Sequence, residues 1–161
     1  MAEGKPVNGD RARVIAPPPL ILLLGLVAGI LVHLRWQRRR LLPGAWLGRA
    51  AGWPVIAVSA LMGGWAVRTM RRGGEHPDPA EPTNSLVTTG PFAFSRNPIY
   101  VAGTLLYVGI ALVVNTIWSV IFLPVVLTVI HYGVILREER YLERLFGAEY
   151  QRYRGQVRRY L

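Results

Sequence analysis

Residues 97–136, NPIYVAGTLLYVGIALVVNTIWSVIFLPVVLTVIHYGVIL, run for 40 positions without a formal charge, between Ser95-Arg96 on one side and Arg137-Glu138-Glu139-Arg140 on the other. As one helix the run would extend roughly 60 Å at 1.5 Å per residue, twice the roughly 30 Å hydrocarbon core of a bilayer. It therefore crosses twice. Asn115-Thr116, the most polar pair inside the run, lies at its centre and marks the turn of a hairpin between two membrane helices. Both charged brackets then emerge on one membrane face, which brings together two polar clusters far apart in the chain.

Working outward, Val14 to Leu34 is charge-free and long enough for one span, opening on Pro17-Pro18-Pro19. It is too long for the apolar core of a signal peptide, and no small-residue cleavage pattern precedes the basic cluster that follows, so it reads as an uncleaved first helix. Within it, Gly25 and Gly29 form a small-xxx-small helix-packing motif. Ala50 to Val67 is a second charge-free segment, flanked by Arg49 and Arg68, with Trp53 and Trp65 as interfacial anchors. The expected fold is an all-α membrane bundle of four transmembrane helices. It forms a single domain over residues 1–161, with a flexible terminus at 1–13, two spans within 14–67 and a functional core at 86–161.

Composition agrees. The chain is 52% hydrophobic and only 17% charged, and its net charge of +10 is concentrated beside the apolar blocks. That placement points to anionic lipid and to topology control, with no nucleic-acid partner. Cysteine is absent, which excludes disulfides and thiolate metal sites. With four spans, all but five of the 19 basic residues fall on the side of the termini and of loop 68–96, so both termini are expected in the cytoplasm of an inner-membrane protein. The five on the far side, Arg35, Arg38, Arg39, Arg40 and Arg49, run against the rule. After Arg137, Leu142, Leu145, Phe146, Tyr150, Tyr153 and Val157 recur at helical spacing among arginines, as in one or two amphipathic interfacial helices broken at Gly147.

The chemistry then rests on the cytoplasmic mouth of the hairpin. Asn97-Pro98 suits a plain helix start, since Asn is a good N-cap and Pro fits the first helical position. The same geometry beside Arg96 suits a carboxylate. Glu138-Glu139 reads either as a solvated pair between Arg137 and Arg140, or as a cation site, because two acids at the C-terminal end of a membrane helix oppose its dipole. His131 is an intramembrane histidine and a functional candidate, or a hydrogen-bonded neighbour of Tyr132. His76 and Asp78 lack a third partner for a metal, and no metal site is expected. Tyr107 and Trp118 read as packing or lipid-facing residues. No glycine-rich nucleotide fingerprint follows a strand, which excludes a soluble Rossmann-type enzyme.

Four motifs occur in order: Thr89-Gly90-Pro91-Phe92, Arg96-Asn97-Pro98-Ile99-Tyr100, Glu138-Glu139-Arg140-Tyr141-Leu142, and Phe146-Gly147-Ala148-Glu149-Tyr150-Gln151-Arg152-Tyr153. Together they resemble the superfamily of isoprenylcysteine carboxyl methyltransferases and phospholipid N-methyltransferases, integral membrane enzymes, over residues 86–161. The resemblance implies methyl transfer from S-adenosylmethionine to a lipid-like or small hydrophobic acceptor by a protein acting as a monomer among membrane lipids. It further implies that Glu138 and Glu139 hold the methionyl amino group or ribose, that Arg96, Asn97, Pro98 and Tyr100 line the pocket, that Gly90-Pro91 closes it, and that Gly103 permits close approach. No catalytic residue is assigned. Asn97 stands where the carboxyl methyltransferases have His, as in the phospholipid branch. An amide still makes hydrogen bonds but transfers no proton. The alternative is a non-catalytic scaffold or permeation protein with a lipid-binding basic surface.

Overall fold

The computed structural model describes residue 12 and residues 14–36, 39–78 and 81–161. Of the N-terminal segment expected to be flexible, the described part is Ala12, which is buried; the rest lies outside the described residues. Six α-helices follow: α1 Pro18–Arg35, α2 Ala45–Arg72, α3 Pro98–Val114, α4 Ile117–Ile130, α5 Leu136–Phe146 and α6 Ala148–Gln156. A 3₁₀ turn spans Gly90–Ala93, and among the described residues there is no strand. Helices α1, α2 and the continuous stretch Ile117–Phe146 are long and apolar enough to cross a membrane, and α3, at 17 residues, is a shorter apolar helix. The second span is longer than expected, since α2 continues from Ala50 back to Ala45 and from Val67 on to Arg72.

Each helix end follows from local chemistry. The prolines before Leu20 suit the first turn of α1, where no intrahelical N–H is needed, so the helix begins at Pro18. Between α3 and α4 the chain reverses at Asn115, whose φ of 56° lies in the left-handed region that Asn tolerates better than other side chains. Thr116 then caps α4 by accepting from the Trp118 N–H. This is the expected hairpin turn.

Asn115 also ties that end of the bundle together. Its Oδ1 accepts from the Leu41 and Leu42 N–H groups at 3.0 and 2.7 Å, and its Nδ2 donates to the Leu42 carbonyl at 3.0 Å. The α1–α2 loop and the α3–α4 turn therefore share one end. At the opposite end the Ile15 N–H donates to Gly133 O, and the 73–97 loop meets α5 and the C-terminal tail.

Small residues set the packing. A Cβ on Gly29 of α1 would lie 2.5 Å from Ser119 Cα of α4, so the Gly25/Gly29 motif carries the α1–α4 contact. A Cβ on Gly52 of α2 would lie 2.7 Å from the Gly109 carbonyl oxygen of α3. The core is built on Leu26, Tyr107, Val126, Ile130 and Ile135, and the Tyr107 hydroxyl donates to Ser119 O at 2.7 Å. Tyr107 is thus a packing residue. Large apolar side chains such as Leu24, Trp53, Leu61 and Val125 point outward, as a lipid-facing surface requires.

Two features differ from expectation. The fourth span does not end at Arg137: a π-helical turn over His131–Ile135 joins α4 to α5, and the helix continues to Phe146. Glu138 and Glu139 therefore sit in the first turn of α5 and oppose no helix terminus. A π turn inserts one residue into the ladder, so the faces of α5 are rotated by about 100° from where a regular helix would carry them. The chain breaks at Gly147 as expected, with φ at 51°, and α6 folds back from there.

Candidate functional site

Helix α3 starts with Asn97 and Pro98 at the loop end of the bundle, and the rotated first turn of α5 faces it. The Tyr100 hydroxyl donates to Glu138 Oε2 at 2.8 Å across this junction. Glu139, one residue on, turns to the other side and meets two arginines. Arg159 grips it with both arms of the guanidinium, Nε to Oε1 at 2.8 Å and Nη2 to Oε2 at 2.9 Å, while Arg96 Nη1 stands 3.3 Å from Oε1. Two adjacent carboxylates are thus in different states. Glu139 is neutralised; Glu138, among the described residues, has a phenol for a partner and no cation.

The tail completes this end. Val157 leaves α6 in an extended conformation and the last residues run back along Ser95-Arg96-Asn97. The Arg96 N–H donates to Arg158 O at 2.9 Å, and the Asn97 Nδ2 donates to Arg159 O at 3.0 Å. Asn97 therefore spends its side chain on the tail and not on capping α3, where it makes no side-chain cap bond. Tyr153 donates to Phe92 O at 2.7 Å, and Tyr150 accepts from Arg96 Nη1 at 3.4 Å. Burial, reinforced by the Glu139 charge and opposed by Arg96, pushes the Tyr150 phenol up to about 12, and burial raises Tyr153 as well. Both remain neutral donors and acceptors at physiological pH.

Loop 73–89 is shaped by Glu75, a buried carboxylate that accepts from the Asn84 and Ser85 N–H groups and from Ser85 Oγ at 2.6 to 3.1 Å. This clip brings Thr83 to Tyr141 and leaves His76 and Asp78 at the mouth.

A cavity of about 800 Å³ opens from this mouth and runs down between α1, α2 and α3. Arg96, Asn97, Tyr100 and Glu138 line its polar end, whereas Leu22, Leu26, Gly63, Gly103, Leu106 and Ile110 make the remainder apolar. A second, smaller cavity of about 70 Å³ lies behind, bounded by Glu75, Glu139, Leu142, Tyr150 and Tyr153, and it shares Phe92, Arg96, Asn97 and Glu138 with the first. The Arg96 side chain, 8% exposed, reaches both, and its Nε is buried with no hydrogen-bond partner among the described residues. Leaving a charged donor unpaired in the interior is costly.

The expected site residues are thus brought together with one exception. Arg96, Asn97, Pro98, Tyr100, Gly103 and Glu138 line the large cavity and Glu139 the small one. Gly90 and Pro91 line neither; Gly90 packs against Thr69 and Trp65 on the far side of the 3₁₀ turn, and Phe92 is the member of that turn that reaches the cavities. His131 is hydrogen-bonded, its Nδ1 lying 2.6 Å from the Tyr160 hydroxyl. Sequence reasoning missed Arg159 and Glu75. Nothing local distinguishes Arg159 from six other arginines after residue 136, and Glu75 is a lone acid in a polar loop.

The family model described as phospholipid methyltransferase matches residues 47–149, more than half of the chain. No curated protein and no solved structure matches it.

Proposed function

The chain belongs to the phospholipid methyltransferase family, and on that premise we propose that it is an S-adenosylmethionine-dependent enzyme, embedded in the membrane, that methylates a lipid-like or small hydrophobic acceptor at the cytoplasmic face. The observation that carries this reading is the juxtaposition at the polar end of the large cavity: among the described residues Glu138 has no cation, and the buried Arg96 Nε has no partner. A ligand joining a cation to a carboxylate satisfies both. S-adenosylmethionine is such a ligand, and when bound it supplies an electrophilic methyl group on a sulfonium.

The protein's own contribution is positioning and exclusion of water. Glu138, held by Tyr100, attracts the positive end, and Arg96, whose Nε has no partner among the described residues, attracts the negative end. The apolar walls from α1, α2 and α3 keep bulk water from the acceptor and admit an apolar body, which favours a lipid-like molecule entering from the bilayer. Asn97 moves no proton, so the acceptor arrives with its nucleophile already deprotonated. Orientation with this mouth in the cytoplasm follows the excess of basic residues at that end.

Calorimetry in detergent tests the reading. S-adenosylmethionine should bind the wild type, and Glu138→Gln, which removes a charge-assisted contact, should weaken binding by about 10- to 100-fold. Full affinity in that variant, or no binding to the wild type, would favour a scaffold or permeation role. Methyl-transfer assays on lipid extracts, against small thiols, amines and acids, then identify the acceptor.

A further inference from the structure

The four charges at the mouth are unequally shared. Arg159 takes both oxygens of Glu139 at 2.8 and 2.9 Å, whereas Arg96, which lines both cavities, approaches the same carboxylate through one nitrogen at 3.3 Å and keeps a buried Nε with no partner among the described residues. Both arginines are close enough to compete for Glu139. An Arg and a carboxylate in reach of one another close into a two-pronged pair when nothing prevents it. Here Arg159 already occupies both oxygens of Glu139.

We propose that Arg159 is a positioning residue that keeps Arg96 available: by saturating Glu139 from the C-terminal tail, it stops Arg96 from collapsing onto that carboxylate and so preserves the donor that receives a ligand's anionic group. The tail is built for this task. Its backbone is fastened to the start of α3 by Arg96 N–H to Arg158 O and by Asn97 Nδ2 to Arg159 O, so the guanidinium of Arg159 is delivered at a fixed place. The Arg159 side chain is 30% exposed and approaches Glu139 from the solvent side, while the Arg96 side chain is buried behind it. Loss of Arg159 leaves one cation for two carboxylates. Arg96 then turns to Glu139, the anion subsite disappears and the cation subsite at Glu138 persists in a more negative environment.

This inference rests on the proposed cofactor reading, and two ligands separate the failures. S-adenosylmethionine carries the carboxylate; decarboxylated S-adenosylmethionine retains the sulfonium and the amine without it. In the wild type the first should bind about tenfold more tightly than the second, the value of a charge-assisted contact. Arg159→Gln should erase most of that preference, weakening S-adenosylmethionine while the decarboxylated ligand binds equally or better. Arg96→Lys, which keeps the charge and deletes Nε, should erase it with Arg159 intact. Tyr160→Phe, a tail change that leaves Arg159 in place, should retain it. Equal weakening of both ligands in Arg159→Gln would reduce Arg159 to a structural tie and overturn the proposal, as would tighter S-adenosylmethionine binding, the mark of a tail that blocks the site. A wild type that binds both ligands without preference refutes the anion subsite alone; a wild type that binds neither refutes the cofactor reading and this inference with it.

Discussion

The two ends of the bundle solve the same problem of turning a chain outside the apolar layer, and they solve it in opposite ways. At the Asn115 end one neutral side chain accepts from two backbone N–H groups and donates to a carbonyl, so its polar atoms are consumed within the protein. At the Glu138 end the clasp is made of charges, and among the described residues it leaves a carboxylate without a cation and a guanidinium Nε without a partner, both on residues that line an 800 Å³ cavity. Saturation gives stability; incomplete pairing costs stability and leaves groups that a ligand can satisfy. Under the proposed function, the incompletely paired end is the working end of the molecule.

The sharpest way to break this contrast is at its saturated end. Asn115→Ala removes the side-chain hydrogen bonds to Leu41, Leu42 and Gly44, about 1 kcal/mol for each of the shorter ones, and places alanine in a left-handed conformation, so unfolding in detergent should become easier by about 3 to 4 kcal/mol. Ligand affinity of the folded fraction should change little. Glu138→Gln should do the reverse, costing ligand affinity while leaving the thermal midpoint unchanged or raised, because it removes a half-buried charge that has no cation among the described residues. Tyr100→Phe should be milder, weakening S-adenosylmethionine by about three- to tenfold, since it deletes one hydrogen bond that orients Glu138. If Tyr100→Phe lowered stability as much as Asn115→Ala, the mouth would be a structural clasp like the other end.

The hairpin was legible because its signal is one of length and charge. Forty uncharged residues exceed one crossing, and Asn115-Thr116 is the polar interruption at the centre. The polar mouth was legible in part, since Tyr100 and Glu138 stand close to the two brackets of that run. Their neighbour Glu139 looked equivalent to Glu138 in the sequence. The structure separates them, because consecutive residues on a helix point about 100° apart and only one faces Tyr100. The acidic pair does not oppose a helix terminus, as its place in the sequence suggests; α5 continues through it, Glu138 pairs with Tyr100, and Glu139 pairs with Arg96 and Arg159. The family resemblance implies that Gly90-Pro91 closes the pocket, yet a 3₁₀ turn presents its residues in different directions, and of these three Phe92 is the one that lines the cavities.

By itself the sequence determined the class of molecule, the apolar helices and the hairpin that brings Tyr100 and Glu138 to one end of the bundle, because solvation by lipid imposes those features through hydropathy and length. Tertiary structure alone decided the rest: the π turn that aims α5, the return of the tail to deliver Arg159, and the cavity between α1, α2 and α3. These depend on contacts between residues tens of positions apart, whose energies leave no trace in local composition or periodicity.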